Sequence, residues 1–173
     1  MAKENQIDSV KYVADVQAMY EQFPENEMVF GKLMALLQDT GNNAGADALL
    51  KARIQNNPGD SMALAYVGQN AQNDGKWDEA IEAYAKAIEA KPSFTQAKVN
   101  LATCYLNRAT NTYDQKADSR GQMAPDVKAS VNGDLNNAQT ILEEVSTVDP
   151  DELEIKWSYT LNRVKYVIEQ INQ

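Results

Sequence analysis

Three prolines set the frame of this chain: Pro24, Pro58 and Pro92 stand 34 residues apart, and Pro150 follows after one such interval and 24 residues more. Self-similarity at a period of this length marks a chain built from repeated supersecondary units. Proline cannot continue a helix but suits the turn that follows one. Each of the four therefore marks a turn between units. The last, longer spacing implies a 24-residue insertion in one unit, and Pro125 falls inside it.

The clearest unit spans residues 61–94. Leu64, Val67, Gly68 and Ala71, then Trp77, Ala80, Ile81, Tyr84, Ala87 and Ile88, fall in two runs of helical spacing. Between the runs, Asn73, Asp74 and Gly75 form a turn, with the glycine free to take the left-handed conformation that closes a helix. Small residues at Gly68 and Ala80 let two antiparallel helices approach, while Trp77 and Tyr84 fill the space beside them. The unit reads as helix, turn, helix.

Leu64, Val67, Gly68, Gly75, Trp77, Ala80, Tyr84, Ala87 and Pro92 together resemble the tetratricopeptide repeat signature, with Ala71 departing from an aromatic position. The unit before it is similar through Phe30, Leu33, Leu37, Gly41, Ala46, Leu50 and Pro58, with Met34 and Arg53 where small residues are usual. The unit after it opens on Leu101, Ala102 and Tyr105, resumes with Ala138, Leu142, Val145 and Pro150, and departs at Lys98. The resemblance, to a bacterial-type array with an insertion in its last full repeat, implies an all-α fold: a right-handed α-solenoid of antiparallel helix pairs. The expected organisation is a single domain over 1–173. It comprises an orphan second helix (1–26), repeats at 27–60, 61–94 and 95–152, the last with its insertion near 108–134, and a capping helix at 153–173.

Val10, Val13, Val16, Met19, Tyr20 and Phe23 give the first helix an apolar face. It is either a natural cap or the start of a piece cut from a longer array, and we favour the second. At the other end Trp157, Leu161, Val164, Ile168 and Ile171 predict one long helix directly after Asp149, Pro150 and Asp151. Asp151, Glu152 and Glu154 would then suit the positive end of its dipole. In the insertion, Leu106, Ala109 and Tyr113 lengthen one helix and Val127, Val131 and Leu135 lead into the next. A polar loop over 118–125 would join them as a projecting hairpin. Asn132, Gly133 and Asp134 support a second outcome, a short separate helix that ends there.

Composition narrows the functions. Sixteen basic residues against 25 acidic ones leave a net charge of −9, and no basic cluster offers the concentrated Lys and Arg that nucleic-acid binding requires. The chain has no histidine, the commonest general base and metal ligand. Its one cysteine, Cys104, has no intramolecular partner and reads as a buried core residue. No glycine-centred Asp spacing makes a calcium loop, and no phosphate loop, metal cluster or convergent carboxylate pair is present. We therefore expect no catalytic residues, no metal and no cofactor. No stretch nears the roughly 18 apolar residues of a membrane span, and residues 1–25 hold no signal-peptide core. A soluble protein of cytoplasm or periplasm is expected, with the compartment open.

In the implied solenoid the first helix of each unit lines a concave face. The repeat register directs Met28, Lys32, Ala35, Met62, Ala65, Tyr66, Gln69, Asn70, Asn73, Gln96, Asn100, Thr103 and Asn107 towards it, with Trp157, Leu161 and Lys165 continuing it. Amides can both donate to and accept from an extended backbone, and Tyr66 would anchor it. The expected function is a non-catalytic protein–protein interaction scaffold, with a peptide or partner segment held by Tyr66, Gln69, Asn70, Gln96 and Asn100. The plainer alternative is that these side chains only face water. The positions that hold a carboxylate in chaperone-binding members are here Gly31, Ala35, Tyr66, Gln96 and Asn100, of which only Asn100 suits, so that ligand is disfavoured. A structural subunit that self-assembles into a homo-oligomer through its terminal helices is the other reading.

Overall fold

The computed structural model describes residues 2–172, with side chains from residue 11 onward, so the side chain of Val10 lies outside the described residues. Eight helices and no strand are present among them. The chain divides into two compact units, residues 1–62 and 63–173.

The first unit holds α1 (Ala2–Gln22), α2 (Glu27–Asp39) and α3 (Asn43–Asn56), with α2 packed against both neighbours. Asn26 caps α2 by accepting the Met28 and Val29 amides, and Asn42 caps α3 by accepting that of Gly45. Phe30, Leu33, Met34, Leu37, Ala46 and Leu50 are buried. The two departures from the repeat pattern both have a physical reason. Met34 stands where the next repeat has Gly68, and Leu50 stands where it has Tyr84, so the smaller side chain on one helix accompanies the larger one on its partner. Arg53 is buried rather than small. Its Nε donates to Asp60 Oδ2 at 2.6 Å, its Nη1 donates to the Pro24 carbonyl at 2.6 Å, and its guanidinium lies 4.2 Å from the Phe30 ring centroid. It ties the turn before α2 to the end of the turn after α3. Burial pulls its pKa down, but Asp60 and Tyr20 together more than offset this, and the pKa lies above the ordinary value.

The helices continue with α4 (Ser61–Asn73), α5 (Trp77–Ala90), α6 (Thr95–Lys116), α7 (Pro125–Val148) and α8 (Ser158–Ile171), and from Ala63 on they form the second unit. The same closing motif ends α2 and α4. Gly41 and Gly75 both have φ of 71°, and the amide after each reaches back over the turn, Asn42 to the Leu37 carbonyl at 2.8 Å and Lys76 to that of Ala71 at 2.9 Å. Helices α3, α5 and α7 end at Asn57, Lys91 and Asp149, each with φ between −140° and −131° and each followed by proline, whose ring disfavours the helical conformation in the residue before it. Gly68 meets the Tyr84 ring so closely that a Cβ would lie 2.9 Å from it.

The insertion lengthens α6 and α7 to 22 and 24 residues, against 13 for α4 and 14 for α5. Helix α7 runs unbroken through Asn132, Gly133 and Asp134, so the reading in which a short helix ends there is corrected. Asp134 is not a cap. It is buried, and its two oxygens accept from Arg108 Nε and Nη2 at 2.8 and 2.6 Å. Nor does the hairpin simply project, because Val131, Leu135 and Leu142 share a buried cluster with Leu106, Leu161, Val164 and Ile171.

The last helix begins later than its apolar spacing predicts. Residues 149–157 form an irregular turn in which Asp149 accepts the amides of Leu153, Glu154 and Ile155 at 2.8 to 3.3 Å, and its carbonyl accepts from Trp157 Nε1 at 2.7 Å. Asp151, Glu152 and Glu154 therefore lie before α8 rather than in its first turn. Glu152 reaches it nonetheless, accepting the Ser158 amide at 2.6 Å, and its pKa is lowered by its hydrogen bonds with Ser158 and by Lys156.

Candidate functional site

Helices α4 and α6, the first helices of their repeats, carry all five side chains expected to bind a partner. Gln69 and Gln96 are exposed, and Tyr66, Asn70 and Asn100 are half-buried. Gln96 and Asn100 stand one turn apart on α6, where the Gln96 amide donates to Asn100 Oδ1 at 3.2 Å. Burial raises the pKa of the Tyr66 phenol, which keeps it neutral and able to donate.

Sequence reasoning missed the polar layer beneath this face. Tyr84, fully buried on α5, donates its hydroxyl to Gln72 Oε1 on α4 at 3.0 Å. Cys104, fully buried on α6, directs its thiol at the same oxygen from 3.5 Å. One glutamine oxygen thus joins three helices. Burial pushes the Cys104 thiol up to about 12 and raises the Tyr84 phenol well above its ordinary value. Neither group is a nucleophile at neutral pH. The signal available in the sequence was a glutamine, Gln72, at an inward helical position two residues before a turn.

Other residues directed to the same face divide. Asn73 is exposed, while Thr103 is half-buried and returns its hydroxyl to the Val99 carbonyl at 2.8 Å. Leu161 is buried in the core around α6, α7 and α8, and Trp157 is held by its bond to Asp149, so neither extends the amide surface. Lys165 is exposed and 3.9 Å from Glu143. In the first unit Met28 is exposed, as is Lys32, whose ammonium sits 5.4 Å from the Tyr12 ring centroid.

Residues 35–93 and 67–114 match the tetratricopeptide repeat family. Residues 35–114 carry tetratricopeptide repeats. Among curated proteins, the repeats are 29% identical over 109 residues to a peroxisomal targeting signal receptor of Kluyveromyces lactis, a match covering 63% of this chain and 18% of the receptor. The same-named protein of Saccharomyces cerevisiae is 30% identical over 84 residues, covering 49% of this chain and 13% of its own length. The chain thus spans less than a fifth of these relatives. A solved structure of an IFIT1 monomeric mutant with Gppp-AAAA superposes with a TM-score of 0.72 at 17% identity, covering 92% of this chain and 34% of that one. The human IFIT1 dimer with m7Gppp-AAAA gives 0.69 at 16%, over 92% and 33%. At such identities the likeness is one of fold. The fold is the all-α class of antiparallel helix pairs that the repeat resemblance implied, a class that serves as an interaction scaffold. No described helix is long and apolar enough to cross a membrane.

Proposed function

We propose that the face formed by α4 and α6 binds an extended peptide segment, with Tyr66 as its aromatic anchor and Gln69, Asn70, Gln96 and Asn100 meeting the peptide backbone. The observation that carries this reading is the bonded pair of Gln96 and Asn100, one turn apart on α6. An amide already held by a neighbouring side chain loses little rotamer freedom when it takes a ligand, so more of each new hydrogen bond is retained as affinity. A primary amide also offers both donor and acceptor, as a peptide backbone requires. The relatives' name, a receptor for a targeting signal, agrees with recognition of a protein segment.

The test is affinity capture from the source cell with the wild-type chain and with a Gln69→Ala/Asn70→Ala/Gln96→Ala variant. Proteins held by the wild type should be lost from the variant at unchanged far-UV circular dichroism. Retention of the same proteins would move the site away from this face.

A further inference from the structure

We propose that the cleft between the insertion loop and the end of α8 binds a small organic anion, an oxyanion group joined to an apolar body, through Lys128 and Arg120. The cleft encloses about 480 Å³, within the size range of small-molecule sites. Its wall combines α6, the loop, the first turns of α7 and the last turn of α8, all in the second unit.

In a chain of net charge −9, this cleft is lined by two cations and, among the described residues, no carboxylate. Lys128 is half-buried and has no ion-pair partner among the described residues. Its ammonium is a compact charge of the kind that suits a carboxylate or a phosphate. Arg120 touches Asp118 at 3.3 Å but is largely exposed, so that contact holds it weakly. Asp118 is already engaged in shaping the loop, since it accepts the amides of Arg120 and Gln122 at 2.8 and 2.9 Å. The guanidinium is therefore available to a ligand at little expense to the loop.

The remaining wall explains the apolar body. Met123 and Ile171 belong to the hydrophobic cluster at this end of the unit and present it to the cleft. Gly121 has φ of 76°, and a Cβ there would lie 2.7 Å from the Tyr113 hydroxyl. The loop and the phenol can approach this closely only because that side chain is missing. Two cations beside the apolar edge of Met123 and Ile171 suit a small anion, whereas a nucleic acid would need a longer basic track.

The probes are phenyl phosphate, benzoate and inorganic phosphate, titrated into the full chain while the Met123 methyl resonance is followed by NMR. At least one aromatic anion should give a saturable shift, and the tighter of the two identifies the oxyanion. Inorganic phosphate should bind at least about tenfold more weakly, because it lacks the apolar body. Lys128→Gln, at a partly exposed position that leaves the core intact, should weaken binding by about tenfold or more, and Arg120→Gln by less. Lys86→Gln, on α5 and remote from the cleft, should change nothing. Absence of a saturable shift with both aromatic anions, equal affinity for inorganic phosphate, or undiminished binding by Lys128→Gln at native circular dichroism would each overturn the proposal.

Discussion

At the scale of single residues, the most consequential arrangement is the pair of buried groups that share Gln72. The Cys104 thiol is raised from an ordinary 9.0 to about 12, and the Tyr84 phenol moves in the same direction from 10.0. Both are acids that stay protonated when folded. Between about pH 9 and 12 the unfolded chain therefore releases protons that the folded chain keeps, and stability falls as pH rises. The contribution is complete below pH 9. Urea midpoints measured from pH 7 upward should decline above pH 9, and Cys104→Ala should make that decline shallower. Identical slopes for the two proteins would show that the thiol does not couple to folding. The repeat register directed Asn100 towards the concave face, and it is half-buried on α6. The register contains no information about the bonds to Gln72, which depend on where Tyr84 and Cys104 arrive from other helices.

Among the elements, α5, α6 and α7 are clamped at one point. Arg108 of α6 forms a two-bond fork with Asp134 of α7 and also donates Nη1 to Asp78 of α5. Replacing Arg108 with Met would leave Asp134, buried to 7% exposure, without its cation. Breaking such a pair costs about 3–5 kcal/mol, and the lower end applies because the Arg108 side chain is 31% exposed. Arg108→Met/Asp134→Leu should recover most of the loss in chemical denaturation; a single variant as stable as wild type would mean that the clamp contributes nothing. This scale also shows what could be read in advance. Helix ends at Gly41, Gly75 and the four prolines were legible because each is imposed by a residue on its own backbone. The start of α8 was not, since the Asp149 carboxylate holds three amides that lie four to six residues further on. The continuity of α7 was hidden for the same reason, as Asp134 is claimed by a partner 26 residues away.

For the whole molecule, self-assembly through the terminal helices has two opposed influences. Tyr159 and Tyr166 on α8 are 70% and 61% exposed, and Met19 and Phe23 at the end of α1 are 50% and 56% exposed, which supplies apolar surface. The net charge of −9 repels a second copy. Salt screens that repulsion without weakening apolar contact. If the chain associates through these faces, its mass by light scattering should rise with ionic strength at fixed concentration. A constant monomer mass at all salt and protein concentrations would remove the reading.

Packing between consecutive helices within each unit also has a kinetic meaning. Helices α1 to α3 and α5 to α8 pack in chain order, with α6 against α8 as the widest reach. Loop-closure entropy is small for such contacts, and chains dominated by them fold in microseconds to milliseconds. Synthesis adds roughly 5–20 residues per second. Within each unit, helices such as α2, α3, α6 and α7 therefore have time to dock on the one before them while the ribosome is still making the next.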